Sequence, residues 1–332
     1  MLVHGQWQGD WNPYQKINEG GEFIRQTSSF RHWVTRDGTA GPTGNAGFRA
    51  EPGRYHLYVA LICPWASRAL MLRQLKKLDD IISVSVVEPV LTDQGWRFAH
   101  ANGADSIVGA TSDALYQSAF IHELYSRADS QVSGRATVPI LWDKQQQTIV
   151  NNESADIIRM LNSAFDEWGD ASVDLCPLSL INDIDDMSAW LYSEFNNAVY
   201  QAGFAMTQEA YESAVNKVFN SLSKIQQQLA DNRPFLLGHT LTEVDVRAFV
   251  TLVRFDAAYY SLFKCNWRRI MDYPLIQAYL ERVYAIEGIA ETVNIAHIKQ
   301  GYYSIRAINP AGIVPIGPEP LLTASEALIG NA

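Results

Sequence analysis

The sequence predicts an α/β domain followed by an all-helical domain, with an extended arm in front. Three observations predict it. The apolar and aromatic run Tyr55–Ile62 leads directly into Cys63, Pro64 and an amphipathic stretch, so a buried strand hands over to a helix. A β-branched run, Ile81–Val87, follows that helix and completes a right-handed strand–helix–strand unit. Beyond residue 170 the strand signals stop, and apolar residues recur at helical spacing.

The elements follow in order. Residues 1–52 are rich in Gly, Thr, Trp and Phe without long periodicity, and read as an extended arm packed on a domain. Residues 53–168 alternate strand and helix patterns. The first strand is Tyr55–Ile62, Ser67–Leu78 is the first helix and Ile81–Val87 the second strand. An irregular insertion, Glu88–Ala114, carries Trp96, and Leu115–Arg127 reads as a helix. Thr137–Trp142 and Thr148–Val150 flank a polar turn as a hairpin, and Ala155–Phe165 is a further helix. The order βαβ, helix, ββα is that of the thioredoxin fold. In residues 169–307, Ile181–Tyr200, Gln208–Ala230, Glu243–Phe263 and Tyr273–Ile286 read as helices. Thr242 is placed to cap the third of these, with Asp245 reaching back and Leu241 stapling onto Val246. The tail 308–332, with Pro310, Pro315, Pro318 and Pro320, reads as irregular.

Composition excludes several classes of function. At 332 residues the chain is long enough for two sizeable cores. A formal net charge of −10 argues against nucleic acid or an anionic membrane as the main partner. No stretch approaches a membrane-spanning apolar segment. Residues 1–18 are polar and tryptophan-rich, so no secretion is expected. Three scattered cysteines make no disulfide framework, which fits the cytoplasm. The seven histidines are dispersed, and no Cys/His spacing suggests a metal site.

Cys63 carries the functional reading. Pro64 takes the first helical position, where its missing N–H costs nothing. The helix-start amides and dipole favour a thiolate, so a lowered pKa is expected. A redox dithiol needs a second cysteine three residues on, and Ala66 stands there. A single nucleophilic sulfur needs an external thiol to finish its cycle, and glutathione is the obvious candidate. The competing reading is a buried structural thiol, as is expected of Cys176 and Cys265. Val138-Pro139 opens the strand facing Cys63, where a cis bond would turn the Val138 backbone toward a peptide-like thiol. Ser154 and the helix-start amides can bind a carboxylate, and Glu153 can face an ammonium, which suits the γ-glutamyl end of glutathione. Taken alone, Glu153-Ser154 reads first as a capped helix; in register with Cys63 and Val138-Pro139 it becomes a three-point site.

These residues resemble the glutathione transferases, and more narrowly the glutathionyl-hydroquinone reductases of the xi class. The matching segments include Arg54–Val59, Cys63-Pro64-Trp65-Ala66, Ile82–Val87, Thr137–Asp143, Asn152-Glu153-Ser154-Ala155, Thr251–Asp256 and Asn309-Pro310. The resemblance implies an N-terminal thioredoxin-like domain, a C-terminal all-helical glutathione-transferase domain and a homodimer. It implies Cys63 as nucleophile, with Trp96, Arg135, Ala136, Thr137, Val138, Glu153 and Ser154 as glutathione contacts. Tyr200 matches the tyrosine that handles the substrate proton, and Tyr259 and Tyr302 match two that lower the nucleophile's pKa. The implied reaction reduces a glutathionyl-hydroquinone to the hydroquinone through a Cys63–glutathione mixed disulfide. Two alternatives stay open: an omega-type thiol transferase or dehydroascorbate reductase, and a non-catalytic interaction module.

Overall fold

The computed structural model describes residues 1–9, 17–100 and 106–318. Parts of the expected arm (10–16), of the insertion (101–105) and of the tail (from 319, with Pro320) lie outside the described residues. The chain opens with a small hairpin, β1 (Leu2–Val3) and β2 (Gln6–Trp7). The arm then follows the sheet edge: the His32 N–H donates to Val150 O (3.0 Å) and the Asn152 N–H to Phe30 O (3.2 Å). Phe23, Val34 and Phe48 of the arm are buried in the core.

The first domain runs β3 (Tyr55–Val59), α1 (Pro64–Leu75), β4 (Ser83–Val86), β5 (Leu91–Thr92), β6 (Gly95–Trp96), α2 (Ile121–Ala128), β7 (Ile140–Asp143), β8 (Thr148–Asn151) and α3 (Ser154–Ser163). Its central sheet has the order β4-β3-β7-β8, with β3 and β4 parallel and the other pairs antiparallel. This is a thioredoxin-like sheet. β3 is buried at every position, as its unbroken apolar run requires of a central strand. The polar exception is His56, whose ring nitrogens meet the hydroxyls of Ser83 (2.7 Å) and Ser85 (3.0 Å). Burial pushes its pKa down to about 4.

Two differences from the sequence reading lie here. The insertion holds a two-stranded ribbon, β5–β6, that presents Trp96. The helix expected from Leu115 begins only at Ile121. The Asp113 carboxylate accepts hydrogen bonds from the Leu115 and Ser118 N–H groups, both at 3.0 Å, and winds the segment into a turn. The Tyr58 hydroxyl donates to the same carboxylate.

The second domain is helical: α4 (Ile181–Leu191), α5 (Ala198–Gly203), α6 (Gln208–Gln228), α7 (Glu243–Arg254), α8 (Pro274–Tyr284) and α9 (Ile295–Tyr303). The Asp245 carboxylate accepts from the Thr242 N–H (2.8 Å) and hydroxyl (3.1 Å), so the expected reach-back at the start of α7 is present. The expected Ile181–Tyr200 helix is divided by a π turn at Tyr192–Asn196, and α7 ends in another at Phe255–Tyr259. The first π turn directs Asn196 into the core, where its amide donates to Arg247 O (2.9 Å) and Thr251 Oγ1 (2.8 Å). α9 has no counterpart among the expected helices.

Candidate active site

Cys63 is the N-cap residue of α1, with Pro64 in the first turn. Its thiol points across to Val138 O at 3.6 Å, next to a Val138–Pro139 bond that is cis. The backbone leading into Cys63 is gripped by the helical domain. Arg254, 1% exposed, donates from Nε to Ile62 O (2.8 Å) and from Nη2 to Leu61 O (2.9 Å) and Ser67 Oγ (2.7 Å). On another side α9 approaches so closely that a Cβ on Gly301 would lie 2.3 Å from Ile62 Cδ1. Glycine at this position lets the next residue, Tyr302, reach the site.

The electrostatics of the thiol differ from the expectation. Burial pushes the Cys63 thiol above its ordinary pKa, against the pull of the Ala66 amide, Arg254, the Trp65 amide and Arg25. The helix-start amides do act as the sequence suggests, but desolvation of the charged form outweighs them.

Two adjoining cavities meet beside Cys63. One, about 180 Å³, is mainly apolar: Cys63, Phe23, Trp65, Trp96, Tyr200, Phe204 and Tyr302 are among its walls. The other, about 450 Å³, is polar and runs over the start of α3, where Glu153 and Ser154 line it with Arg68, Asn152 and Arg247. Arg25, Trp65, Arg135, Thr137 and Val138 belong to both. Glu153 caps α3 by accepting from the Ala155 N–H (3.2 Å), while its other oxygen accepts from the Ser28 hydroxyl (2.9 Å). The Ser154 hydroxyl is buried and finds no partner among the described residues. Such a group next to helix-start amides suits an incoming carboxylate.

Three tyrosines form a hydroxyl chain on the apolar side. The Tyr200 and Tyr302 hydroxyls are 2.5 Å apart, and those of Tyr302 and Tyr259 are 2.9 Å apart. Burial raises the pKa of Tyr200, as does the nearby Cys63 charge, against the pull of Arg25 and of the Tyr302 and Tyr259 hydroxyls; Tyr302 and Tyr259 are held well above the ordinary value, mainly by burial. All three are therefore protonated near neutral pH. Tyr302 lines the cavity, whereas its neighbour Tyr303 does not. Tyr259 is fully buried behind Tyr302. The hydroxyls of Tyr259 and Tyr302 are engaged with each other and with Tyr200, while the thiol is bonded to Val138 O.

The sequence-nominated residues thus gather around one site. Cys63, Trp96, Arg135, Ala136, Thr137, Val138, Tyr200 and Tyr302 wall the apolar cavity, Glu153 and Ser154 the polar one, and Tyr259 supports from behind. Several contributors escaped the sequence reading, Phe23, Arg25 and Arg254 among them. Phe23 and Arg25 come from the arm, which has no periodicity to flag them. Arg254 lies within the matched segment Thr251–Asp256 but carries no local mark of its role.

Comparison with known proteins agrees with this geometry. Residues 62–164 match the glutathione S-transferase N-terminal domain and residues 208–282 its C-terminal domain. The glutathionyl-hydroquinone reductase YqjG of Escherichia coli K-12 is 51% identical, with 96% of this chain and 95% of that one covered. Its glutathione-bound structure superposes with a TM-score of 0.86 at 48% identity, covering 96% of this chain and 95% of that one. The glutathionyl-hydroquinone reductase PcpF of Sphingobium chlorophenolicum is 45% identical, covering 97% of each chain. The xi glutathione transferase of Phanerochaete chrysosporium is 43% identical with a TM-score of 0.86, over 93% of this chain and 96% of its own. A thioredoxin-like domain with its thiol at a helix start, closed by a helical domain that supplies the tyrosines, places this chain in the glutathione transferase family, among the xi-class glutathionyl-hydroquinone reductases.

Proposed function

We propose that this protein reduces glutathionyl-hydroquinones to hydroquinones, releasing oxidised glutathione, and that it works as a cytoplasmic homodimer. The observation that carries the reading is the placement of Cys63 where a polar and an aromatic cavity adjoin. The polar cavity suits the zwitterionic end of glutathione, with Ser154 and the α3 amides for its carboxylate and Glu153 for its ammonium. Trp96, Arg135, Ala136, Thr137 and Val138 line the path between that end and the thiol. The aromatic cavity suits a ring joined to the glutathione sulfur.

The chemistry follows from what must leave. The Cys63 thiolate attacks the glutathione sulfur, an S–S bond forms, and the bond from sulfur to the ring carbon breaks. A bare aryl carbanion leaves poorly, so the ring carbon needs a proton. Tyr200, protonated and on the cavity wall, is the donor, and Tyr302 and Tyr259 hold and recharge it. A second glutathione then attacks the Cys63 mixed disulfide, and its thiol proton balances the one delivered to the ring. Oxidised glutathione and free Cys63 result. The thiolate forms against burial, with the helix-start amides, Arg254 and Arg25 favouring it. No step calls for a metal.

Incubation with glutathione and a glutathionyl-hydroquinone, followed by chromatography, tests the proposal. Hydroquinone and oxidised glutathione should appear in equal amounts. Without free glutathione, mass spectrometry should find one glutathione adduct, on Cys63. Turnover of a small glutathione mixed disulfide without hydroquinone release would instead identify a general thiol transferase. Absence of any reactive thiol would favour an interaction module.

A further inference from the structure

Arg25 reaches the site from the N-terminal arm and lines both cavities. Its guanidinium lies 4.5 Å from the Trp65 ring centroid and 4.9 Å from that of Tyr200. Nε donates to Asn197 Oδ1 at 3.0 Å, which fixes the plane of the group. Nη2 is buried and has no hydrogen-bond partner among the described residues. A guanidinium clamped over two rings, with a donor uncommitted, is built to meet an oxygen that carries negative charge. Ser154 and Glu153 in the polar cavity already answer the charges of the γ-glutamyl end in the reading above. Beside Tyr200 and Cys63, the group that develops charge is the aromatic ring.

We propose that Arg25 is the cation that receives the negative charge on the ring oxygen ortho to sulfur as the hydroquinone departs. This rests on the hydroquinone reading above. Tyr200 delivers a proton to the sulfur-bearing carbon while the ortho hydroxyl gives its proton back to the tyrosine chain, forming the keto tautomer with no net change in protonation. The Cys63 thiolate then bonds to the glutathione sulfur and the carbon–sulfur bond breaks. Its electron pair restores the aromatic ring and appears as a phenolate on the ortho oxygen. Nη2 of Arg25 donates to that oxygen, which afterwards takes a proton from solvent. The preferred substrates are therefore glutathionyl arenes with a free hydroxyl next to sulfur, and the corresponding methyl ethers are excluded.

Arg25→Gln and Arg25→Lys in the full chain test this. The Gln variant should lose about 10²-fold in hydroquinone release, as when one donor to a developing oxyanion is removed. Its reduction of a small glutathione mixed disulfide should fall far less, because a thiolate leaves there, and Lys should restore part of the difference. A readout independent of turnover uses 4-nitrophenol bound to Cys63→Ser protein. Its absorbance titration should show a bound pKa at least about one unit lower with Arg25 than with Arg25→Gln, equivalent to about 1.4 kcal/mol. Equal loss of both activities, or a bound phenol whose pKa ignores the substitution, overturns the proposal. If the parent protein releases no hydroquinone, the functional reading fails, and the phenol titration still decides whether Arg25 binds a phenolate.

Discussion

Ser154→Ala should make the protein more stable and a poorer binder of glutathione at once. The Ser154 side chain is 2% exposed, and its hydroxyl has no partner among the described residues. A buried hydroxyl left unpaired costs about 1–3 kcal/mol. Alanine removes that cost at the first position of α3 and suits a helix at least as well. Taking the lower end, unfolding free energy should rise by about 1 kcal/mol, or about 2 °C in midpoint for a chain of this size. The same hydroxyl is the proposed donor to the γ-glutamyl carboxylate, and a hydrogen bond to a charged group contributes about 1.5–3 kcal/mol. Affinity should therefore drop by roughly 10- to 100-fold. Differential scanning fluorimetry of the unliganded protein gives the first quantity. Titration calorimetry with S-methylglutathione, which offers no thiol for exchange, gives the second. A variant that is less stable and binds as tightly as its parent would refute the reasoning, because the hydroxyl would then serve the fold and not the ligand.

Other outcomes follow from the same geometry. Cys63→Ser should abolish turnover, since an alcohol forms no mixed disulfide, while Cys176→Ser and Cys265→Ser, both away from the cavities, should keep most of it in the same chromatographic assay. Tyr200→Phe should cut hydroquinone release by roughly 10²- to 10⁴-fold and affect reduction of a small mixed disulfide far less. Equal loss of the two activities would leave this tyrosine shaping the pocket only. His56 is held neutral by burial, its pKa pushed from 6.5 down to about 4. The unfolded chain takes up that proton near pH 6.5 and the folded one only near pH 4, so this share of stability is present above 6.5 and lost as pH falls toward 4. It amounts to roughly 3 kcal/mol, and urea unfolding against pH should show a shallower acid loss in His56→Gln.

What was legible in the sequence was local. The strand before Cys63, the proline after it and the β-branched run of β4 each state their conformation within a few residues. So does the Thr242–Asp245 pair at the start of α7. The direction of the thiol's pKa is not legible locally, because helix-start amides are a local property, whereas desolvation comes from the folding of distant segments around the sulfur. The false helix start at Leu115 has a similar cause: its apolar spacing is helical, but the Asp113 carboxylate competes for the backbone amides. The tyrosine chain joins residues 102 and 43 positions apart, so no spacing rule connects them, and resemblance alone singled them out. Arg25 had neither a pattern nor a matched motif to mark it.

The Arg254 clamp has a consequence for how such a chain can change over generations. The carbonyls of Leu61 and Ile62, which set the exit of β3 toward the nucleophile, are hydrogen-bonded by a side chain nearly two hundred residues downstream. A thioredoxin-like half joined by recombination to a foreign helical half would inherit Cys63 but not the guanidinium that holds the turn before it. A lysine in place of Arg254 would keep the charge but could not reach Ile62 O, Leu61 O and Ser67 Oγ with one rigid fork. The two halves are therefore a single heritable unit: the reactive sulfur is written in one, and the angle at which it is presented is written in the other.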